Sequence, residues 1–298
     1  MPTPTTAPLA GRYVLLDQVG AGAMGSVWRA RDLRTGGLVA AKVLGAHDST
    51  MLLRFVREQS VRIVHPHVVA PTGWAAEDHR VVFAMDLVHG GSVETLLAEH
   101  GPLPVSYVAA LLDQLLQALD AVHAAGFVHR DVKPANLLLE PGPPHLRLGD
   151  FGVAVPVDDV RLTRGPGVVG THGYLAPEQA AGAPPDPRQD LYAAGVVAAQ
   201  LLGDRLPPPV PDGPLRPLIE ALTDPDPALR PPTAAAALER LRRIDVRRDG
   251  PWPDVPDRLR QPPPHTDSRW ADVAIVASLL VIALCVVATT LMLRGAAR

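Results

Sequence analysis

Lysine and asparagine are almost missing from this chain. Its 298 residues hold 26 arginines but only two lysines, Lys42 and Lys133, and a single asparagine, Asn136. Cysteine occurs once, at Cys285, inside an apolar run near the C-terminus. One cysteine excludes an intrachain disulfide framework and a thiol-rich metal site. It fits a folded part that works in a reducing compartment. A strong charge of either sign is lacking too. The formal net charge of -3 argues against a general nucleic-acid binder, which needs a basic excess to meet the phosphate backbone. Residues 1–11 lack both a basic stretch and a continuous apolar core, so they do not form a secretory signal. Their Thr, Pro and Ala content predicts a disordered leader.

Apolar residues, by contrast, are plentiful at 47%, enough for the core of one two-lobed domain plus an appendage. Runs of β-type residues at Tyr13–Val19, Ser26–Ala30 and Leu38–Leu44 predict strands. A helix is expected over 49–64, with Ser49 and Thr50 as caps, and strands again at Val68–Trp74 and Val81–Leu87. From Gly91 the pattern turns helical, with helices expected at Val105–Ala125, Asp190–Leu202 and Pro231–Arg243. A strand-rich part followed by a helical part predicts an α+β, bilobal architecture. The domain is expected over 12–244, with lobes at 12–85 and 89–244.

Residues 245–270 are rich in proline and predict an extended, semi-rigid linker. Beyond it, Val273–Leu293 carries no charge over 21 residues, which as a helix spans roughly 31 Å and would cross a bilayer. A buried core helix would be as apolar, but this run follows a linker and is apolar on every face. The expected membrane helix is 271–293, with 294–298 as a short extracytoplasmic tail. Arg258, Arg260 and Arg269 precede the run while Arg294 and Arg298 follow it. That excess places the N-terminal side in the cytoplasm.

The chemistry-bearing motifs begin at Gly20-Ala-Gly22-Ala-Met-Gly25-Ser-Val27, a G-x-G-x-x-G-x-V run between two expected strands. Glycines without Cβ let backbone N–H groups approach phosphate oxygens closely. Alone, the run is equally a hairpin turn, and it is no dinucleotide fingerprint, because a strand and not a helix follows it. Val39-Ala-Ala-Lys42 comes next. A lysine in an apolar strand needs a counter-charge, and Glu58 on the following helix is the candidate; a surface lysine and a solvated glutamate are the plainer alternative. Then come His129-Arg-Asp131-Val-Lys133-Pro-Ala-Asn136 and Asp150-Phe-Gly152.

In this order, the motifs resemble the protein kinase family, specifically its serine/threonine branch. With the arginine-rich composition and apolar C-terminus, the chain is similar to the membrane-anchored, eukaryotic-like kinases of actinobacterial type. The resemblance implies the bilobal kinase fold and ATP-dependent phosphoryl transfer to protein Ser or Thr hydroxyls. Such a reaction depends on positioning and charge stabilisation more than on covalent help. Asp131 would accept or orient the substrate hydroxyl proton. Lys133 would neutralise the transferring group, and Lys42, paired with Glu58, would reach the nucleotide phosphates. Asn136 and Asp150 would hold Mg²⁺ (or Mn²⁺), which favours few protein oxygens together with phosphates and water. Val19, Gly20, Gly22, Gly25, Val27, Ala40, Lys42 and Leu138 would line the nucleotide site. Met85 would precede the hinge residues Asp86–Val88, whose backbone would read adenine. For Met85, Val27, Ala40 and Leu138, ordinary core packing is an equal reading.

The same resemblance makes Thr171 and Glu178 parts of an activation segment, with Glu178 paired to Arg230 and Asp190 bracing the catalytic loop. Arg130 would receive a phosphate on that segment, with Thr163 as the candidate acceptor. Protein substrates and a homodimer for phosphorylation in trans are the implied partners, with no nucleic acid. The rare residues favour a live enzyme over a pseudokinase scaffold. In a chain that avoids lysine and asparagine, the only three sit where phosphate and metal need them, and arginine does not replace a compact ammonium. A small-molecule kinase fits less well, because Gly170–Glu178 resembles a peptide-docking element. One departure concerns 203–217, where six prolines stand in place of an ordinary helix; this puts substrate docking, and not catalysis, in question.

Overall fold

The computed structural model describes residues 7–22, 25–44, 63–77, 80–150, 155–156, 173–203, 209–248 and 250–259. Five antiparallel strands make the N-terminal sheet: β1 (Tyr13–Gly22), β2 (Gly25–Asp32), β3 (Leu38–Leu44), β4 (Pro71–Glu77) and β5 (Arg80–Met85). Their spatial order is β1-β2-β3-β5-β4. β3 therefore lies at the centre, where both neighbours satisfy its backbone groups. Its register sets Lys42 opposite Val27 on β2 and opposite Phe83 on β5. Leu9, Tyr13, Leu15, Ala30, Ala41, Val82 and Ala84 form the small core of this lobe.

The helical lobe follows. It contains α1 (Val93–His100), α2 (Val105–Ala124), α3 (Pro177–Ala180), α4 (Pro187–Gly203), α5 (Arg216–Leu222) and α6 (Ala234–Arg242). Ser92 caps α1 by accepting the Thr95 N–H at 3.2 Å, and Thr233 caps α6 by accepting the Ala236 N–H at 3.1 Å. α2 is long and apolar enough to cross a membrane by composition alone. Here it is the core helix: Val108, Leu111, Leu112, Leu115, Leu119 and Val122 are buried, and it packs against α4, α6 and the short strand Leu146–Leu148.

Between α2 and α3 run four short strands: β6 (Phe127–Val128), β7 (Leu137–Leu139), β8 (Leu146–Leu148) and β9 (Val155–Pro156). They pair as β6 with β9 and β7 with β8, both antiparallel. The motif residues 129–136 and 150 lie in the segments that connect these strands.

The observed elements differ from the sequence expectation in four places. Within the expected leader, Leu9 is buried in the N-terminal core and its N–H donates to Tyr13 O at 2.8 Å. Val68–Ala70 does not extend β4. Val69 N–H donates to Leu148 O and Leu148 N–H to His67 O, both at 2.8 Å, so this stretch joins the helical lobe beside β8. In the proline-rich 203–217 stretch, α5 begins at Arg216 with Pro217 in its first turn, the one helical site where a missing N–H costs nothing. Residues 250–258, inside the expected linker, lie against the domain: Val255 is buried, and Trp252 Nε1–H donates to Ser106 Oγ at 2.9 Å. The expected helix at 49–64 falls mostly outside the described residues, and the expected membrane helix wholly so.

Candidate active site

The site is built outward from a buried carboxylate on α4. Asp190 is 1% exposed. Its Oδ1 accepts the Arg130 N–H, and its Oδ2 accepts the His129 N–H and His123 Nε2, each at 2.8 Å. Burial acts to raise its pKa, but the His123 hydrogen bond, the two imidazoles and the His129 N–H outweigh it and hold the group below the ordinary carboxylate range. One charged side chain thereby fixes two consecutive backbone amides of the 129–136 loop.

That fixation permits a strained turn. Arg130 has φ 66, a left-handed conformation rare for a side chain of this size. Asp150 has φ 60. Residues in such regions persist where surrounding contacts over-determine them, which happens most at functional sites. His129 supplies one of those contacts. Its Nδ1 accepts the Asp131 N–H at 3.3 Å, which leaves Nε2 as the protonated nitrogen to donate to Gly149 O at 3.1 Å. Gly149 N–H in turn donates to Asn136 O at 2.9 Å. The loop and the segment entering Asp150 are therefore stitched together by one imidazole and one backbone hydrogen bond.

The motif side chains converge on this frame. Lys133 Nζ lies 2.8 Å from Asp131 Oδ2. Asn136 Nδ2 donates to Asp131 O at 2.8 Å and to Asp131 Oδ2 at 2.9 Å. Across the cleft, Lys42 of β3 forms an ion pair with Asp150. Asp131 and Lys133 are mostly buried, and Asp150 is about half exposed. The donor set also suits a small divalent cation: with its Nδ2 committed to Asp131, Asn136 has its amide oxygen to offer, and Asp150 adds a carboxylate. These are hard oxygen ligands.

The expected nucleotide-site residues lie on the N-terminal sheet and on β7. Val19, Gly20 and Gly22 are on β1, Gly25 and Val27 on β2, Ala40 on β3 and Leu138 on β7. Gly25 has φ 138, and a Cβ there would stand 2.3 Å from Val43 O, so the turn admits no side chain. Asp86 and Val88 lie in the segment that joins the lobes, and Met85 ends β5. The Asp86 carboxylate is held by Arg147 Nη2 at 2.7 Å, a partner that no local motif signals. Glu58, Thr163, Thr171, Phe151 and Gly152 lie outside the described residues.

A further ion pair joins Glu178 on α3 to Arg230. Arg230 donates to Glu178 through both terminal nitrogens, at 2.6 and 2.8 Å. Its side chain is fully buried, and it also donates to Arg188 O at 3.0 Å and to Asp224 O at 2.8 Å. Arg130 presents the opposite case. Its Nε is buried with no hydrogen-bond partner among the described residues, and burial lowers its pKa against the opposing pull of Asp190.

A strand-rich lobe and a helical lobe that meet across paired lysine and aspartate side chains define a two-lobed domain with a charged cleft. Residues 13–224 match the protein kinase domain, and the chain belongs to that family. It is 40% identical over 218 residues to the serine/threonine-protein kinase PkaA of Streptomyces coelicolor, an alignment covering 67% of this chain and 40% of that one. It is 34% identical over 292 residues to the serine/threonine-protein kinase pkn3 of Myxococcus xanthus, covering 83% and 53%. It is 33% identical over 283 residues to the serine/threonine-protein kinase PknA of Mycobacterium tuberculosis, covering 86% and 65%. The chain thus spans less than two thirds of the length of each of these relatives.

Proposed function

We propose that this chain is an ATP-dependent serine/threonine protein kinase. The observations that support the reading are the Lys42–Asp150 ion pair and the Asp131–Lys133–Asn136 cluster, linked by the Gly149 N–H bond to Asn136 O. Asp131 is the group that accepts or orients the proton of the attacking hydroxyl. Its Oδ2, fixed by Lys133 and Asn136, cannot swing away from the reaction line. Lys133 brings a positive charge to where negative charge builds on the transferring group. Lys42 directs its ammonium to the nucleotide phosphates. Asn136 and Asp150 would hold Mg²⁺ (or Mn²⁺), which when bound supplies positive charge to the phosphate oxygens.

The nucleotide reading places ATP under the glycine turn, with Val19, Val27, Ala40 and Leu138 about the base and the Asp86–Val88 backbone at its edge. Glu58 is the further partner assigned to Lys42. The Arg130 Nε, buried without a partner among the described residues, supports the reading of Arg130 as the receiver of a phosphorylated Thr163, and Thr171 is assigned to the peptide-binding side. A homodimer would serve phosphorylation in trans. The charge-free run at 273–293 supports a single membrane anchor with the kinase domain in the cytoplasm.

The test is incubation of the full-length protein with labelled ATP and Mg²⁺, beside Asp131→Asn. Label on the wild type or on a protein substrate, lost in the variant, is the expected result. No transfer by a well-folded wild type would favour a nucleotide-binding scaffold. For the anchor, deletion of 271–293 should move the protein from the membrane fraction to the soluble one.

A further inference from the structure

The segment leaving the hinge is clamped from two sides. On one side is β7: Gly90 N–H donates to Leu139 O at 2.8 Å, and Leu139 N–H to Gly91 O at 2.9 Å. On the other side is the strap at 250–258. Arg258 N–H donates to His89 O at 2.8 Å, and Arg258 Nε–H to Gly90 O at 2.9 Å. The same guanidinium pairs with Glu99 on α1, and Asp257 meets His89 Nδ1 at 3.2 Å.

The glycine pair is shaped for this contact. A Cβ on Gly90 would stand 2.5 Å from Val255 Cγ1 and 2.4 Å from Leu139 O. A Cβ on Gly91, which has φ 84, would stand 2.8 Å from Arg258 Cδ and Nε. Contacts this close leave the strap no room behind any other residue. The strap is also anchored before it arrives. Val255 O accepts the Gly142 N–H at 3.0 Å, and Trp252 stacks edge-on against Tyr107 at 5.6 Å.

We infer that Arg258 is a positioning residue for nucleotide binding: it ties the exit of the hinge to α1 and so fixes the backbone on which the adenine edge is read. The inference rests on the reading of this cleft as the ATP site. Two carbonyls, His89 O and Gly90 O, take their donors from one residue. The guanidinium spans Gly90 O and Glu99 at once, which a planar fork can do and a single ammonium cannot. Without it, the segment keeps its β7 contacts but loses the opposing support, and each nucleotide bound must then order that backbone at its own expense.

The test uses the full-length chain in detergent and a non-hydrolysable ATP analogue with Mg²⁺. Arg258→Ala should weaken analogue binding about tenfold, the worth of a lost charged hydrogen bond. Its kcat at saturating ATP should stay within about twofold, which places the loss in KM. Arg258→Lys should recover part of the binding, and Arg243→Ala, an exposed side chain just past the end of α6, should change nothing. An Arg258→Ala protein that melts like wild type and binds the analogue within about twofold of it overturns the inference. A wild type that binds no analogue removes the ATP-site reading and this inference together. Hydrogen exchange on the wild type avoids any folding defect: the analogue should slow exchange at the Arg258 amide along with Gly90. Protection at Gly90 without protection at Arg258 would also overturn it.

Discussion

Lys42 on β3 and Asp150 beyond β8 close an ion pair that ties the strand-rich lobe to the helical one. Lys42 is mostly buried while Asp150 is 43% exposed, so the pair is solvent-screened and adds little to folding. Its value is positional. Lys42→Met should therefore lower phosphoryl transfer by roughly a hundredfold or more while costing under about 1 kcal/mol of stability. Parallel kinase assays and thermal melts check both. A melt depressed as far as the activity would show that the pair is structural.

Asp190 is expected to be far less tolerant. Asp190→Ala leaves the His129 and Arg130 amides and His123 without their acceptor in a buried site. Each unmet donor costs about 1–3 kcal/mol, so urea unfolding should show a loss of at least about 3 kcal/mol. Asp190→Asn keeps the shape and one acceptor oxygen and should fall between.

The Glu178–Arg230 pair allows a double-variant test. Arg230→Met strands the Glu178 carboxylate and should cost about 3–5 kcal/mol. Removing both charges, with Glu178→Leu added, should recover much of that loss, because the second charge no longer needs a partner. Denaturant titration of the four proteins gives the coupling energy. A double variant as unstable as Arg230→Met would contradict this account.

Stability in acid should carry the signature of Asp32. Its hydrogen bond and ion pair with Arg12, at 2.9 and 2.7 Å, hold its carboxyl at about 2 against burial. A carboxyl lowered in the folded state stabilises above its unfolded value and loses that contribution as pH falls through the folded one. The loss should therefore run from about pH 4 down to about pH 2. Arg12 is partly exposed, so solvent screening limits the contribution to about 1 kcal/mol. Arg12→Met should flatten the acid limb of the stability curve by that amount.

The sequence order of motifs was enough to read the two lobes and to single out Lys42, Asp131, Lys133, Asn136 and Asp150, because each sits in a local pattern with its own spacing; the pairing of Lys42 with Asp150 was not among those readings, which pointed to Glu58. The long-range contacts were not legible. Nothing near Arg147 signals that it holds Asp86, and nothing near His129 signals its bond to Gly149 O. Val68–Ala70 has strand composition, yet its backbone partners come from β8 and not from the sheet. The proline-rich stretch at 250–258 misleads for a physical reason. Proline reports that a segment will not form helix or central strand, but extended backbone can still bury Val255 and spend its polar groups on a neighbouring surface.

The strap also sets where this domain can be cut. The family match ends at residue 224, and the last helix among the described residues ends at Arg242, so either would pass for a natural terminus. A fragment trimmed there would expose the apolar bed of Val255 and leave Gly90 and Gly91 facing solvent with nothing to cover them. Soluble versions ending at 259 or later should express and crystallise better than shorter ones. Inhibitor screens run on shorter fragments would be measuring a loosened hinge.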